Sequence, residues 1–512
     1  MKFSVRALGG LLAAGMLFVA ACSGNQGSSG QPSGQQGNSQ QQQQGGAQDA
    51  KPVRIEIALQ NGTLPRPEED ALKQEIDSIV GIDLVLNPTP ANEYQNNLNV
   101  RLAAGNYPDV FQALTPIQLK EYADKGLLLD LTPYLSELEP VRQFQGDSFD
   151  KGQVDGKQYA LVRHADVPFT SYWIRKDWLD ELGLQPPQTL DELFDVARAF
   201  TEDDPDRSGG KNTLGITGFE LSSFYPILGA YGVGNPAHLY VKDGELITGV
   251  LDPAMPEALA YVKSMMDAGV VDQEIITNKN LLDVEKAFQG QAGILFQGWT
   301  NISRKTSYEQ YKSINPDAEW VQFAAPAGPG GQFAESYDYA KAPAYWAVSK
   351  SVENDQQKLS KIIELFNFLS SEQGIQLVSY GVEGKHYVME NGAVAVQPLL
   401  EEEGAYFWMY QLAGRNEQHY LQTRFYYVKD DIEFAIEQPR IHALNGYIYH
   451  FPPNYNRADA DRYIMEELVK FIYGKRSIDE YSQFLDTLNT TFNYQAYIDL
   501  AREQLQERGV LN

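Results

Sequence analysis

Between Val53 and Phe111 the chain switches repeatedly between two hydrophobic periods, which limits the possible folds more than any other feature. Val53-Arg54-Ile55-Glu56-Ile57-Ala58-Leu59 alternates as a half-buried strand does. Glu69 to Val80 carries a helical period, and Ile82 to Leu86 reads as a second strand. Tyr94 to Ala104 is helical again, and Tyr107-Pro108-Asp109-Val110-Phe111 begins a third strand. Strand, helix, strand, helix, strand predicts a parallel sheet, because parallel neighbours need a crossover between them.

The pattern continues. A helix is expected at Ile117 to Lys125, a strand at Tyr172 to Ile174 and a helix at Lys176 to Leu182. Thr189-Leu190-Asp191-Glu192 has capping-box spacing: the Thr189 hydroxyl can accept from the third helical amide while Glu192 reaches back to the Thr189 amide. That helix runs to Phe200. Further amphipathic helices are expected at 256–269, 282–288, 358–370, 460–472, 477–486 and 493–508. Ala325-Pro326-Ala327-Gly328-Pro329-Gly330-Gly331 reads as a flexible crossing between lobes. No internal repeat is present.

The N-terminus reads as a secretory signal. Lys2 and Arg6 supply its positive start, and Leu8 to Ala21 is an apolar run broken only by glycines. The run is short for a membrane span, which needs about 20 apolar residues. Val19-Ala20-Ala21-Cys22 resembles a bacterial lipobox, whose cysteine thiol is acylated and becomes the mature N-terminus. An ordinary secreted protein with a cysteine near its cleavage point is the alternative. Ser23 to Ala50 is almost purely Gly, Ser, Gln and Asn and cannot bury enough surface to fold. As a leash it spans on the order of 30 Å. The expected layout is therefore a signal peptide at 1–21, a lipid-anchored linker at 22–50 and a globular body from 51 on.

That body is longer than one core usually holds, so two domains are expected. The formal charge is −27. Losing Lys2 and Arg6 would take it to −29, a poor match for nucleic acid or an anionic membrane face. Cys22 is the single cysteine, so the body can form neither a disulfide nor a thiol-based metal site.

Several segments carry a family resemblance. They are Ala103-Ala104-Gly105-Asn106-Tyr107-Pro108-Asp109-Val110, Trp173 to Leu184, Pro187 to Leu193, Ala287 to Ile294 with Gln297-Gly298-Trp299, and Gly381-Val382-Glu383-Gly384-Lys385-His386-Tyr387. Their order and spacing resemble the family 1 extracellular solute-binding proteins, the receptors of carbohydrate ABC importers. The closest likeness is to the large lipoprotein subgroup that includes alginate- and pectin-oligosaccharide receptors. The resemblance implies an α/β, type II periplasmic-binding-protein fold: two α/β lobes, hinge crossings and a ligand cleft between them. It implies lobe one from 51–165 and 328–380, and lobe two from 166–327 and 381–512. The implied partners are an oligosaccharide, the permease subunits of an ABC importer and the membrane through a lipid anchor. The protein is then a monomer on the extracytoplasmic face of the cell membrane, with no nucleic-acid partner.

Candidate sites follow. In Asp204-Pro205-Asp206-Arg207-Ser208-Gly209-Gly210-Lys211-Asn212, oxygen side chains recur at alternate positions. Asp204, Asp206, Ser208, Asn212 and the Gly210 carbonyl would converge on a structural Ca²⁺, a hard cation that takes six or more oxygens. An acidic surface turn is the alternative. In the resembling family the tryptophan equivalent to Trp299 faces the cleft and stacks on sugar. Gln60, Asn61 and Gln112 follow strands, at the carboxyl edge where open α/β sheets bind ligands. Arg163 could hold hydroxyls or a uronate carboxylate through its planar fork. Tyr172, Tyr225, Tyr337, Trp346 and Trp408 are aromatic candidates for stacking on sugar.

The six histidines, His164, His238, His386, His419, His442 and His450, form no zinc-hydrolase spacing. The body has no G-x-S-x-G nucleophile elbow. A glycosidase needs only two placed carboxylates, so a lipid-anchored polysaccharide-degrading enzyme remains an alternative. A ligand-sensing lipoprotein is another. The resemblance favours a non-enzymatic receptor.

Overall fold

The computed structural model describes residues 51–511. The signal-peptide, Cys22 and linker expectations fall on residues outside that range. From Pro52 onward the chain forms one compact unit.

Its first elements are β1 (Val53–Gln60), α1 (Ala71–Val80), β2 (Ile82–Thr89), α2 (Ala91–Ala103), β3 (Val110–Ala113), α3 (Pro116–Asp124) and β4 (Ala160–Val162). Then come β5 (Thr170–Arg175), α4 (Leu190–Glu202), β6 (Leu214–Ile216), α5 (Tyr225–Ala230), β7 (Ala292–Gly298), α6 (Trp299–Ile302) and β8 (Trp320–Phe323). The last part holds β9 (Ser336–Tyr337), β10 (Tyr345–Val348), α7 (Gln356–Leu369), α8 (Glu417–Arg424), α9 (Lys429–Glu437), β11 (Ile441–His442) and α10 (Tyr494–Glu507).

Two sheets organise these elements. The first has the order β2-β1-β3-β10-β4. β1 runs parallel to β2 and β3, with Ile57 beside Leu86 and Val110. β10 returns antiparallel between β3 and β4. The second sheet has the order β8-β5-β7-β6, with β6 and β7 parallel and β5 antiparallel to both its neighbours. Local chemistry sets the helix ends. Asp70 caps α1 by accepting the Lys73 amide at 3.0 Å, and Gly81 ends it at φ 70°. Thr115 caps α3 by accepting the Gln118 amide, with Pro116 in the first turn.

Strand alternation sorts the core onto both faces of each sheet. Ile55, Ile57 and Leu59 pack with Ile76, Ile362 and Phe366 on one face of the first sheet. Ala58 and Phe111 pack with Tyr94, Leu98 and Tyr122 on the other. In the second sheet Tyr172, Ile174, Ile294 and Phe296 share one cluster, while Trp173 and Leu295 join Phe288 and Trp299 in the opposite one.

Core packing and hydrogen bonds revise three expectations. The 325–331 stretch is no crossing. Ala327 exchanges backbone hydrogen bonds with Gln188 and Leu190, and the Gly330 amide donates to Ala230, so the stretch lies on the body of the second sheet. The chain instead passes between the two bodies at 338–344: Ala334 belongs to the second core, Ala342 and Ala344 to the first. Residues placed in lobe two by the resemblance also return to the first core, including Tyr387, Leu400, Phe407, Met409 and Tyr410. Further crossings lie at 163–169, between β4 and β5, and along α8, where Tyr420 packs on the first core and Leu421 on the second. The Thr189 capping box is half formed. Thr189 accepts the Glu192 amide at 3.2 Å, but the Glu192 carboxylate takes the Gln188 amide at 2.7 Å instead of that of Thr189.

Candidate functional site

The parallel strands of the first sheet end at Gln60 and Ala113, and three predicted residues meet there. The Gln60 amide donates to Gln112 Oε1 at 3.0 Å, which holds the Gln112 side chain across the edge. Asn61 adopts φ 64°, and its side-chain Oδ1 accepts the Ala91 amide at the start of α2 at 2.9 Å. Asn61 is exposed, but its side-chain acceptor already serves the helix.

Three predicted aromatic contacts are instead core. Trp299 is 1 % exposed, opens α6 and meets Phe425 edge-on at 5.2 Å. Tyr172 is equally buried, stacked on Phe323 at 5.0 Å, because the parity it shares with Ile174 points it into the core. Trp346 is 5 % exposed and donates its indole N–H to the Leu412 carbonyl at 2.7 Å. Trp408 is the opposite case at 46 % exposure.

Two further predicted residues, Arg163 and Tyr337, meet at the 163–169 crossing. Arg163 pairs with Asp166 at 3.2 Å, and the half-buried Tyr337 donates its hydroxyl to the Asp166 carbonyl, also at 3.2 Å. Burial pushes the Tyr337 hydroxyl above its ordinary range, with Asp166 and Glu335 adding to the effect. Burial also lifts Tyr225, up to about 12, and the nearby carboxylates Glu335 and Glu220 contribute.

Sequence reasoning missed the residue that organises this region. Arg440 is fully buried. Its guanidinium donates to the Ala435 and Gln438 carbonyls at 2.9 and 3.0 Å and to the Thr170 carbonyl at 2.8 Å. It also faces Glu335 Oε1 at 3.4 Å, the oxygen that accepts the Thr170 hydroxyl. One arginine thus ties the start of β5 to the short β9–β11 pair, whose strands run parallel with Tyr337 beside His442. Around it stand two rings with open faces, Phe169 at 48 % and Tyr339 at 45 % exposure. Tyr339 meets Tyr337 at 5.3 Å and His442 at 5.9 Å. No local motif signals these residues, since Thr170 and Arg440 are 270 positions apart.

A cavity of about 340 Å³ opens beside this cluster. Thr115, Pro116 and Ile117 at the amino end of α3 line one wall, and Glu335, Tyr337 and His238 line the other. His238 Nδ1 lies 2.8 Å from the Ser336 hydroxyl. Burial lowers the imidazole pKa to about 4, helped by the positive charge of Arg457. Exposed aromatic faces beside charge-paired carboxylates and arginines suit a hydroxyl-rich ligand with apolar ring faces.

The 204–212 loop is separate and exposed. Asp204 and Arg207 take φ 51° and 53°, and Gly209 takes 78°. The Ser208 hydroxyl lies 2.6 Å from Asn212 Oδ1 and 3.3 Å from Asp204 Oδ1. The Gly209 amide donates to Asp204 Oδ2 at 3.0 Å, and Asn212 donates to Asp206 Oδ2 at 3.0 Å. Burial works to raise the Asp206 pKa, but hydrogen bonds from Ser208 and Asn212 outweigh it and hold the carboxyl below its usual range. Arg207 pairs with Glu181 and so turns its charge away from the loop. Among the described residues no three His, Cys, Asp or Glu side chains cluster closely enough to hold a metal. Any cation here would depend on Ser208, Asn212 and the Gly210 carbonyl beside the two carboxylates.

His386, part of the Gly381–Tyr387 segment, is buried and satisfied. Its Nδ1 accepts the Val382 amide at 2.9 Å and its Nε2 meets Glu403 at 3.0 Å. That segment is structural.

Residues 67–376 match the family described as bacterial extracellular solute-binding protein. The polygalacturonan/rhamnogalacturonan-binding protein YtcQ of Bacillus subtilis is 25 % identical over 63 % of this chain and 64 % of its own length, just under two thirds. Lipoprotein LipO of the same organism is 22 % identical over 84 % of this chain and 87 % of its own. Among solved structures, the Streptococcus pneumoniae ABC-transporter substrate-binding protein FusA, in complex with kestose, superposes with a TM-score of 0.66 at 16 % identity. The superposition covers 90 % of this chain and 100 % of that one.

Proposed function

The chain belongs to the bacterial extracellular solute-binding protein family, and on that footing we propose that it captures an oligosaccharide between its two α/β lobes for an ABC-type importer. The observation that carries this reading is the Arg440 cluster, which sets the open faces of Phe169 and Tyr339 beside Glu335, Asp166 and Arg163. YtcQ, a polygalacturonan/rhamnogalacturonan-binding protein, and FusA, a fructooligosaccharide-binding one, support the same ligand class. Arg163 and Arg440 are each engaged by a carboxylate, and the chain is strongly acidic, which favours a neutral glycan. The ligand must bind the closed arrangement more tightly than the open one, since only differential affinity shifts such an equilibrium.

The family binds solutes and does not transform them, so the glycan leaves unchanged. Cys22 would carry the lipid and Ser23 to Ala50 the leash, holding the receptor near the permease subunits on the extracytoplasmic face. The 204–212 loop would hold a structural Ca²⁺ through Asp204, Asp206, Ser208, Asn212 and the Gly210 carbonyl.

A thermal-shift screen against neutral and uronic oligosaccharides tests the receptor. A ligand at 100 times its Kd adds about 2.7 kcal/mol of stability, an easily read rise in Tm. Chromatography of the recovered glycan should show no shorter products; cleavage would overturn the reading. EDTA should lower the Tm and added Ca²⁺ restore it, and an unchanged Tm would remove calcium from the proposal.

A further inference from the structure

The chain has six tryptophans, and five of them (Trp173, Trp178, Trp299, Trp320 and Trp346) are at most 7 % exposed. Trp408, at 46 %, makes no aromatic pair among the described residues. It borders an open groove of about 730 Å³ whose other wall is Thr63-Leu64-Pro65, just beyond the carboxyl end of β1. Gly62 joins the two walls: it takes φ 102°, and any side chain there would collide with Met409, the neighbour of Trp408. Both walls belong to the first lobe, since Leu64 and Tyr406 pack against the core that contains Phe407 and Met409. First-lobe residues alone line the groove, and its Thr63 wall begins just past Gln60, the edge residue at the end of β1.

Its polar lining is acidic. Glu69, Glu402 and Glu403 face it. Glu403 is held by Lys385 and His386 and Glu69 by Arg66, while Glu402 makes no ion pair among the described residues. An indole face suits the apolar C–H face of a sugar ring, and carboxylates accept from its hydroxyls. The same carboxylates repel a uronate.

We infer that this groove is an outer subsite for a neutral sugar unit, which extends the glycan from the cleft along the first lobe. The inference rests on the oligosaccharide reading above. Because one lobe forms the subsite, it contributes affinity to long ligands and is silent toward ligands that end within the cleft. A terminal unit stacked on Trp408 adds about five- to tenfold in affinity.

The test uses three ladders: kestose with nystose and longer fructo-oligosaccharides, raffinose with stachyose and verbascose, and oligogalacturonides of two to six units. Calorimetry gives Kd for each length with wild type, Trp408→Ala and Trp408→Phe. In a neutral ladder that binds, wild-type affinity should rise with length. Trp408→Ala should lose five- to tenfold on the longest member and less than twofold on the shortest, and Trp408→Phe should recover part of the loss. Acrylamide should quench the wild-type fluorescence, and only the long ligands should protect it. Equal loss at every length would put Trp408 in the cleft and overturn the inference. No loss at any length, or an unprotected indole under saturating long ligand, would also overturn it. A Trp408-dependent gain confined to oligogalacturonides would overturn its neutral character. If no ladder binds wild type, the oligosaccharide reading itself fails, and the inference with it, before any variant is made.

Discussion

Trp299 and Trp408 show how little a residue type says about its role until its neighbours are known. Both were candidates for stacking on sugar, yet one is 1 % exposed and the other 46 %. Trp299→Ala should therefore act as a core truncation and cost about 3–5 kcal/mol, read as a large fall in Tm or in the denaturation midpoint. Trp408→Ala should change stability by less than about 0.5 kcal/mol. His238 offers a pH test at the same scale. Its folded pKa of about 4 lies below the ordinary value of 6.5, so the unfolded chain binds the proton first as pH falls. Stability due to His238 is then full above about pH 6.5 and is lost progressively down to about pH 4, by roughly 2–3 kcal/mol. His238→Gln should flatten the fall in Tm across that window by a corresponding amount. An unchanged slope would mean that the imidazole is not held neutral by burial.

At the scale of elements, the most consequential feature is how the crossings are fastened. Lys151 is fully buried, and its ammonium meets both Asp338 carboxylate oxygens at 2.9 and 2.8 Å, at the start of the 338–344 crossing. Asp338 also accepts the Gly446 amide at 3.0 Å. Burial lowers the Lys151 pKa, and Asp338 opposes that shift. Asp338→Ala would leave a buried charge without its partner and should destabilise the protein by about 3–5 kcal/mol, read by chemical denaturation. Loss below 1 kcal/mol would show that water reaches the ammonium. The regular elements nearby were legible in the sequence: the β1–α1–β2–α2–β3 order stands where the alternation put it. What misled was glycine and proline content. Ala325 to Gly331 has the composition of a loose connection, yet the Gly330 backbone packs so closely on Tyr231 that no side chain would fit. Low side-chain bulk served close packing there, and composition cannot tell the two uses apart.

At the scale of the molecule, two sheets with separate cores are linked by crossings, and the proposed ligand space lies between them. A bound oligosaccharide that closes the lobes should reduce the radius of gyration seen by solution X-ray scattering, and Arg440→Ala should weaken binding by more than tenfold. That variant leaves the direct Thr170–Glu335 hydrogen bond but cuts the tie from that pair to the Ala435 and Gln438 carbonyls, and tests whether the cluster positions the ligand contacts. The sequence alone determined the α/β class, the parallel order of the first strands and the family, because periodicity and short motifs are local properties of the chain. It also identified Gln60, Asn61 and Gln112 as edge residues, since position relative to a strand end is nearly local as well. Only the tertiary structure decided which aromatics were core, that 387–413 returns to the first lobe, and that Arg440 reaches Thr170 across 270 residues. Those outcomes depend on which surfaces meet, and pairings so distant in sequence leave no mark in any single segment.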